Sequence, residues 1–339
     1  MLVVLKSDAT PAQTEAVCAE IRAMGFAPHS MPGAGRTAIG ITGNKGPVNA
    51  LPLEALPGVE RCIPVTQAYK LVLREMKPEG TVIDLKGTKV GGGATFTVIA
   101  GPCSVESVRQ MDEVARFVKD QGIRVLRGGA FKPRTSPYSF QGLEQEGLKI
   151  LNEIGAKHGL ATITEVMDTS TVDDVAGAAD ILQIGARNMQ NFSLLKRVGK
   201  ASKPVFLKRG MSATLEELLL AAEYVLHGGN HQVMLCERGV RTFADHTRNT
   251  LDLSIVPSVQ RLSHLPIFVD PSHAIGRRYF IEPMAKAALA CGADGLMVEV
   301  TPDPDHALSD GAQTLDFKGF EKLMQALRHL AGALGRKLN

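Results

Sequence analysis

The chain has 339 residues, 44% of them hydrophobic and 22% charged, which suffices for a full core and indicates neither a disordered chain nor a membrane protein. A formal net charge of +3 argues against a general nucleic-acid binder, and no run approaches the ~20 apolar residues of a membrane span. The five cysteines are scattered without CxxC spacing, and the first residues lack the pattern of a secretion signal, so the expectation is a cytoplasmic protein with no disulfide framework.

The first 70 residues read as a compact αβ unit. "LVVLK" is a strand, and "TPAQTEAVCAEIRAMG" is a helix with Thr10 as N-cap, Gln13 completing a capping box, Pro11 in the first turn and Gly25 closing it. Val17, Ile21 and Met24 form its inner stripe. "FAPHSM" and "RTAIGITG" are two further strands, a short apolar helix follows near residues 48–56, and "VERCIPV" is a last strand. The order β-α-β-β-α-β predicts a ferredoxin-like sandwich over residues 1–70. Residues 71–95, rich in Gly and charge, read as a linker with a short hairpin.

From residue 96 to 339 short apolar strands alternate with amphipathic helical stretches. Strands are read at "FTVIAG", "RVLRGGAF", "ATITEV", "DILQIGA", "PVFLKRG", "QVMLCERG", "IFVDPSH" and "GLMVEV". Eight strands at a spacing of about 30 residues predict a (β/α)8 TIM barrel rather than an open doubly wound sheet, whose GxGxxG turn is missing after the first strand.

Active-site residues of a barrel project from the C-terminal strand ends. Those ends carry Cys103, Arg127 with Lys132, Glu165, Arg187, Lys208, Arg238, His273 and Glu299. Cys103, His273 and Glu299 follow strands one, seven and eight, which become neighbours when a barrel closes, and Asp310 in "HALSDGAQ" is placed to add a fourth ligand. A thiolate, an imidazole and two carboxylates suit one divalent Mn, Fe, Co, Zn or Cu ion better than Mg or Ca. Any one of these side chains alone is more simply read as core filler or a salt-bridge partner; their joint placement reverses that. "RGGAFKPRTSP" adds a stiff loop bearing Lys132 and Arg134, and with Arg127, Arg187, Lys208 and Arg238 the mouth offers more positive charge than one small anion requires. Cys236 also ends a strand but reads as structural.

The segments "AGPCSVES", "RGGAFKPRTSPYSFQGL", "QIGARNMQNF", "LKRGMSAT", "LCERGVRTF", "TRNTLDLS", "VDPSHAIGRR" and "GADGLMVEVTPDPDHALSDGAQ" together span nearly all of residues 96–317. They resemble the type I, beta-subgroup 3-deoxy-D-arabino-heptulosonate 7-phosphate (DAHP) synthases, and the first 70 residues resemble the ferredoxin-like regulatory domain of that subgroup. The resemblance implies condensation of phosphoenolpyruvate with erythrose 4-phosphate. It implies that Arg127 and Lys208 hold the phosphoenolpyruvate carboxylate, and that Arg187, Arg238 and the Ala186 backbone hold its phosphate. Lys132 would sit at the reacting centre with Pro133 beside it, Arg134 and Thr135 would grip the aldose phosphate, and Glu165 would position the attacking water. Cys103, His273, Glu299 and Asp310 match the family's metal ligands. The resemblance further implies a homotetramer inhibited by tyrosine or phenylalanine, with His29 and Ser30 as candidate regulatory residues. The alternative is the sibling 3-deoxy-octulosonate 8-phosphate synthase, which uses arabinose 5-phosphate, generally reads "KANRSS" in place of "KPRTSP" and lacks the first unit. Two positions depart from the family's usual pattern: Thr301 stands where His is common, and Glu144 where Gly is common.

Overall fold

The computed structural model describes every residue except positions 34, 45, 47, 65–67, 134 and 135. The chain divides into two units, residues 1–81 with 260–265 and residues 82–259 with 266–339.

The first unit contains β1 (Leu2–Leu5), α1 (Pro11–Ala23), β2 (Ala27–Pro32), β3 (Thr37–Thr42), α2 (Leu51–Glu54) and β4 (Val59–Ile63). Its strands lie in the order β2-β3-β1-β4, every pair antiparallel. This is the ferredoxin-like sandwich expected from the element order. The capping box forms: Gln13 N donates to Thr10 Oγ1 and Thr10 N to Gln13 Oε1, satisfying donors that the first helical turn leaves free. Strand alternation sends Val3, Leu5, Ile39 and Ile41 to one face, where they pack with Val17, Ile21 and Leu53.

The second unit opens with an antiparallel hairpin, β5 (Ile83–Leu85) and β6 (Thr88–Val90), followed by eight parallel strands. These are β7 (Thr95–Gly101), β8 (Val125–Arg127), β9 (Ala161–Val166), β10 (Ile181–Ile184), β11 (Val205–Lys208), β12 (Val233–Glu237), β13 (Ile267–Val269) and β14 (Gly295–Glu299). Each pairs with the next, and β14 pairs with β7 from Gly295↔Thr97 to Glu299↔Gly101, so the sheet closes into the expected barrel. Ile99, Phe206, Met234, Phe268 and Met297 fill the interior, and Ile83, Leu85 and Val90 of the hairpin join the same cluster. Cys236 belongs to it too and is fully buried.

Two strands fall furthest short of the segments read from the sequence. The segment read over residues 124–131 leaves the ladder after Arg127, where Gly128 and Gly129 begin a loop and Gly129 keeps only an isolated bridge to Ser104. The segment read over 267–273 stops at Val269, because Pro271 cannot donate to a ladder and instead starts the helix Pro271–Ile275, capped by Asp270. His273 therefore rides on that helix and not on a strand.

Glu144 occupies the left-handed region at φ +49°, with its N–H donating to the Ala130 carbonyl at 2.9 Å, as the first residue of the helix Glu144–His158. Its side chain is exposed, so packing does not offset the backbone cost of about 1–2 kcal/mol that a Cβ carries there. Glu144→Gly should therefore raise the thermal midpoint of the full chain by about 2 °C, whereas Glu144→Ala should not. Calorimetry of the three proteins checks this, and a midpoint lowered by Gly would show that the position is not strained.

Candidate active site

The β7–β14 closure sets the geometry of the site. Beyond β7 the chain turns at Gly101, where a Cβ would fall 2.1 Å from the Arg127 carbonyl oxygen, and this close approach brings buried Cys103 over the barrel mouth. Glu299 ends β14, His273 follows β13, and Asp310 caps the short turn Gly311–Gln313 in a left-handed conformation at φ +53°. One ligand atom from each of these four residues lies within 4.8 Å of the others. Separations in that range suit a single ion, since ligands at 2.0–2.3 Å in a tetrahedron stand roughly 3.3–3.8 Å apart. Cys103 Sγ lies 3.2 Å from Asp310 Oδ2, and His273 Nε2 lies 3.4 Å from Glu299 Oε1. Both the donor chemistry and the convergence fit a divalent transition metal.

Surrounding groups hold these ligands in place. Arg127 Nη1 donates to Glu299 Oε1 at 2.5 Å and Gln313 Nε2 to Glu299 Oε2 at 2.6 Å, which fixes both carboxylate oxygens. Asp270 Oδ2 faces His273 Nδ1 at 2.7 Å, leaving Nε2 toward the other ligands. Lys132 Nζ donates to the carbonyl oxygen and to the sulfur of Cys103, each at 3.0 Å. Burial, with the negative charge of Glu299, pushes the Cys103 thiol up to about 12. Burial also raises Glu299, but His273, Arg127 and Lys132 outweigh it and hold the carboxyl below the usual carboxylate range. For His273 burial dominates over Asp270 and Glu299 and lowers its value, favouring the neutral imidazole that binds metals.

Beside the four ligands opens a cavity of about 460 Å³. Arg127, Lys132, Pro133, Glu165, Ala186, Arg187, Lys208, Arg238, His273 and Asp310 all line it, which brings these sequence candidates to one place. Glu165 accepts from Gln183 Nε2 at 3.2 Å, and Gly185 leaves it room, since a Cβ there would fall 2.0 Å from Glu165 Oε1. Arg134 and Thr135 lie outside the described residues. His29 and Ser30 are on β2 of the first unit, His29 Nε2 being 2.8 Å from Thr42 Oγ1. Neither belongs to the residues lining that unit's cavity of about 410 Å³, which include Arg36, Arg61, Glu75 and Glu79. The strand-end rule missed Arg241, Arg248 and Asn249, which line the cavity from the loop after β12, and it missed Asp270 and Gln313, which bond the candidate ligands His273 and Glu299 from behind. Asp270 and Gln313 lie inside the quoted "VDPSH" and "SDGAQ", within three residues of metal ligands, and that proximity was the available signal.

The mouth holds two kinds of cation. Arg127, Lys208 and Arg209 are each paired with a fully buried acid, Glu299, Asp270 and Glu237 respectively. Arg187, Arg238 and Arg241 line the mouth with no carboxylate at ion-pair distance among the described residues, which leaves positive charge for anions.

A family model described as the DAHP synthetase I family matches residues 75–334, and one described as the DAHP synthase ferredoxin-like domain matches residues 1–67. The chain is 51% identical to the phospho-2-dehydro-3-deoxyheptonate aldolase of Thermotoga maritima over 339 residues, the full length of both. The crystal structure of that Thermotoga maritima aldolase, also titled DAHP synthase, has a TM-score of 0.80 at 50% identity and covers 100% of this chain and 99% of its own. The 2-dehydro-3-deoxyphosphooctonate aldolase of Nitrobacter hamburgensis is 32% identical over 266 residues, 73% of this chain and 91% of that protein.

Cys103→Ala should leave the fold intact while metal retained after desalting falls from about one ion per chain to under a tenth, because a four-ligand site loses its soft donor. Elemental analysis with circular dichroism decides this; full retention would make Cys103 core filler. In the metal-free protein the thiol holds its proton up to about 12, and a thiolate is needed for ligation. Metal affinity should therefore climb about tenfold per pH unit between pH 7 and 9, where His273 is already neutral. Chelator competition at three pH values would expose a flat dependence as contrary.

Proposed function

The chain belongs to the DAHP synthetase I family, and from that premise we propose how its residues divide the work of the family's reaction. The protein condenses phosphoenolpyruvate with D-erythrose 4-phosphate and water to give DAHP and inorganic phosphate, the first step of the shikimate pathway. The observation that carries this reading is the full-length 51% identity, together with the convergence of four ligand side chains beside one cation-lined cavity.

Arg127 and Lys208 clamp the phosphoenolpyruvate carboxylate, and Arg187, Arg238 and the Ala186 N–H take its phosphate; this reading is supported by their shared position on the cavity wall. Arg134 and Thr135 take the aldose phosphate, with Pro133 stiffening their loop. Both substrates are anions, so the cations provide the orientation that mutual repulsion would deny. Cys103, His273, Glu299 and Asp310 hold the divalent ion, one of Mn, Fe, Co, Zn or Cu. When bound, that ion supplies Lewis acidity toward the aldehyde oxygen of the aldose. Lys132, an ammonium 3.0 Å from the Cys103 sulfur, stands where it can deliver a proton to the aldehyde oxygen as the vinyl carbon of phosphoenolpyruvate bonds to the aldehyde carbon. Glu165, held by Gln183, positions the water that adds to the neighbouring cationic carbon. The resulting hemiketal phosphate then collapses by C–O cleavage, releasing phosphate.

The regulatory reading assigns residues 1–70 to a domain that binds tyrosine or phenylalanine through His29 and Ser30, residues 71–95 to the connector and residues 96–339 to the catalytic barrel. We place the enzyme in the cytoplasm as a homotetramer. No helix among the described residues is long and apolar enough to cross a membrane.

One set of assays tests the proposal. With metal supplied, phosphate release from phosphoenolpyruvate should be at least tenfold faster in kcat/KM with erythrose 4-phosphate than with arabinose 5-phosphate, a difference of about 1.4 kcal/mol in transition-state binding. The reverse preference would assign the octulosonate reaction instead. Either tyrosine or phenylalanine should slow the full chain and leave a chain lacking residues 1–70 unaffected, whereas equal response of the two would remove the regulatory role.

A further inference from the structure

Asp270 has no part in the proposed division of the reaction's steps, yet it is fully buried at the back of the site. Its Oδ2 takes two donors at once, Lys208 Nζ at 2.5 Å and His273 Nδ1 at 2.7 Å, while its Oδ1 accepts the His273 backbone N–H at 2.9 Å. One carboxylate oxygen thus joins a metal-ligand imidazole to a cavity-lining ammonium. We propose that Asp270 is a positioning residue that couples divalent-metal occupancy at His273 to the binding of the phosphoenolpyruvate carboxylate at Lys208. The inference rests on the assignment of Lys208 to that carboxylate.

The coupling follows from sharing. Two donors on one oxygen compete for its charge, and the more polarised one takes the larger share. A cation on His273 Nε2 draws electron density out of the ring and makes Nδ1–H the stronger donor. Asp270 then holds His273 more tightly and Lys208 more loosely, so the ammonium presents more of its charge to the cavity. In the other direction, a carboxylate on Lys208 competes with Asp270 for the ammonium and returns negative charge to the imidazole, improving Nε2 as a ligand. Each event favours the other, and by linkage the two factors must be equal. Asp270 cannot swing away from this role: as N-cap of the helix Pro271–Ile275 its other oxygen is tied to the backbone, and its side chain has no solvent exposure. Arg127 and Glu299 form a parallel path, since Glu299 Oε1 bonds Arg127 and also faces the metal side of His273; variants at Asp270 and Lys208 leave that path in place, so the coupling shrinks through them without vanishing.

Attraction between the ion and the substrate's charge also produces coupling, so the test separates the two by variants that leave both in place. Isothermal titration of phosphoenolpyruvate into the full-length protein, metal-stripped and then saturated with Mn2+, gives a ratio of dissociation constants. For the wild type the metal should tighten binding at least about fivefold, the lower end of linked sites. In Asp270→Asn, which keeps the shape but loses the charge and one of the two acceptor oxygens, that ratio should shrink threefold or more. Lys208→Met, which has no donor, leaves Asp270 to His273 alone and should shrink it likewise, which decides the matter should Asp270→Asn fail to fold. A wild-type ratio near one, or a soluble variant with the wild-type ratio, overturns the proposal. Failure of the wild type to bind phosphoenolpyruvate in either state overturns the substrate assignment and this inference with it.

Discussion

The pairing of β14 with β7 is the constraint on which the site depends. These strands lie almost 200 residues apart at their facing ends, and the register Glu299↔Gly101 places a carboxylate beside the turn that delivers Cys103. In an open sheet the same two strands would be opposite edges and their ligands would never meet. Closure also removes the exposed edges that would otherwise pair with other chains, so one set of hydrogen bonds serves both stability and chemistry. Gly101 and Gly295 pay for the tightness of this seam in side chains: a Cβ at Gly295 would sit 2.2 Å from the Thr97 carbonyl and 2.3 Å from the Phe268 ring.

The seam brings a second problem, which the charges solve. Isolated charges buried at strand ends would each cost several kcal/mol. Arg127, Lys208 and Arg209 avoid this because a fully buried acid from an adjacent part of the mouth meets each one. Arg209 also reaches Asp252 at 2.9 Å, and Glu237 accepts the Gly239 N–H at 2.6 Å, so this pair fastens the loop that carries Arg241 and Arg248. The paired cations are therefore part of the scaffold, and Arg187, Arg238 and Arg241, which meet no carboxylate at ion-pair distance among the described residues, leave a net positive field at the mouth. A mouth with every cation paired would bind anions poorly; one with none paired would not stay folded.

The fold, and the strand ends around which the four-residue cluster gathers, were legible because both follow from periodic signals. Alternating apolar segments at regular spacing mark the eight strands, and strand ends mark Cys103, Arg127, Lys208 and Glu299. What escaped has no such marker. Asp270 reads as half of an Asp-Pro turn signal, and only the closed barrel shows that its oxygen lies between Lys208 and His273, since 62 residues separate Lys208 from it in the chain. Glu237 and Asp252 are ordinary acids until Arg209 is seen between them. Glu144 stood out in sequence only as a departure from glycine, and its φ of +49° gives the departure a physical meaning, because the backbone still adopts the glycine conformation.

Asp310 shows how a candidate ligand can reach the site without lying at a strand end. It is eleven residues beyond Glu299, in a left-handed conformation that an aspartate adopts at a cost. The loop around it is tied to the turn after β7: Ser309 Oγ lies 2.9 Å from Ser104 Oγ, both buried, and the Leu308 N–H donates to Glu106 Oε1 at 3.0 Å. Ser104 and Ser309 are each the sequence neighbour of a ligand, so the hydroxyl contact sets the distance between Cys103 and Asp310 directly. The Thr314 hydroxyl bonds the Asp310 carbonyl at 2.9 Å and Arg248 meets its side chain at 3.3 Å, holding the strained residue from both directions. Strain of this kind persists only where neighbouring contacts over-determine the backbone, and here they belong to the two loops whose meeting makes the site.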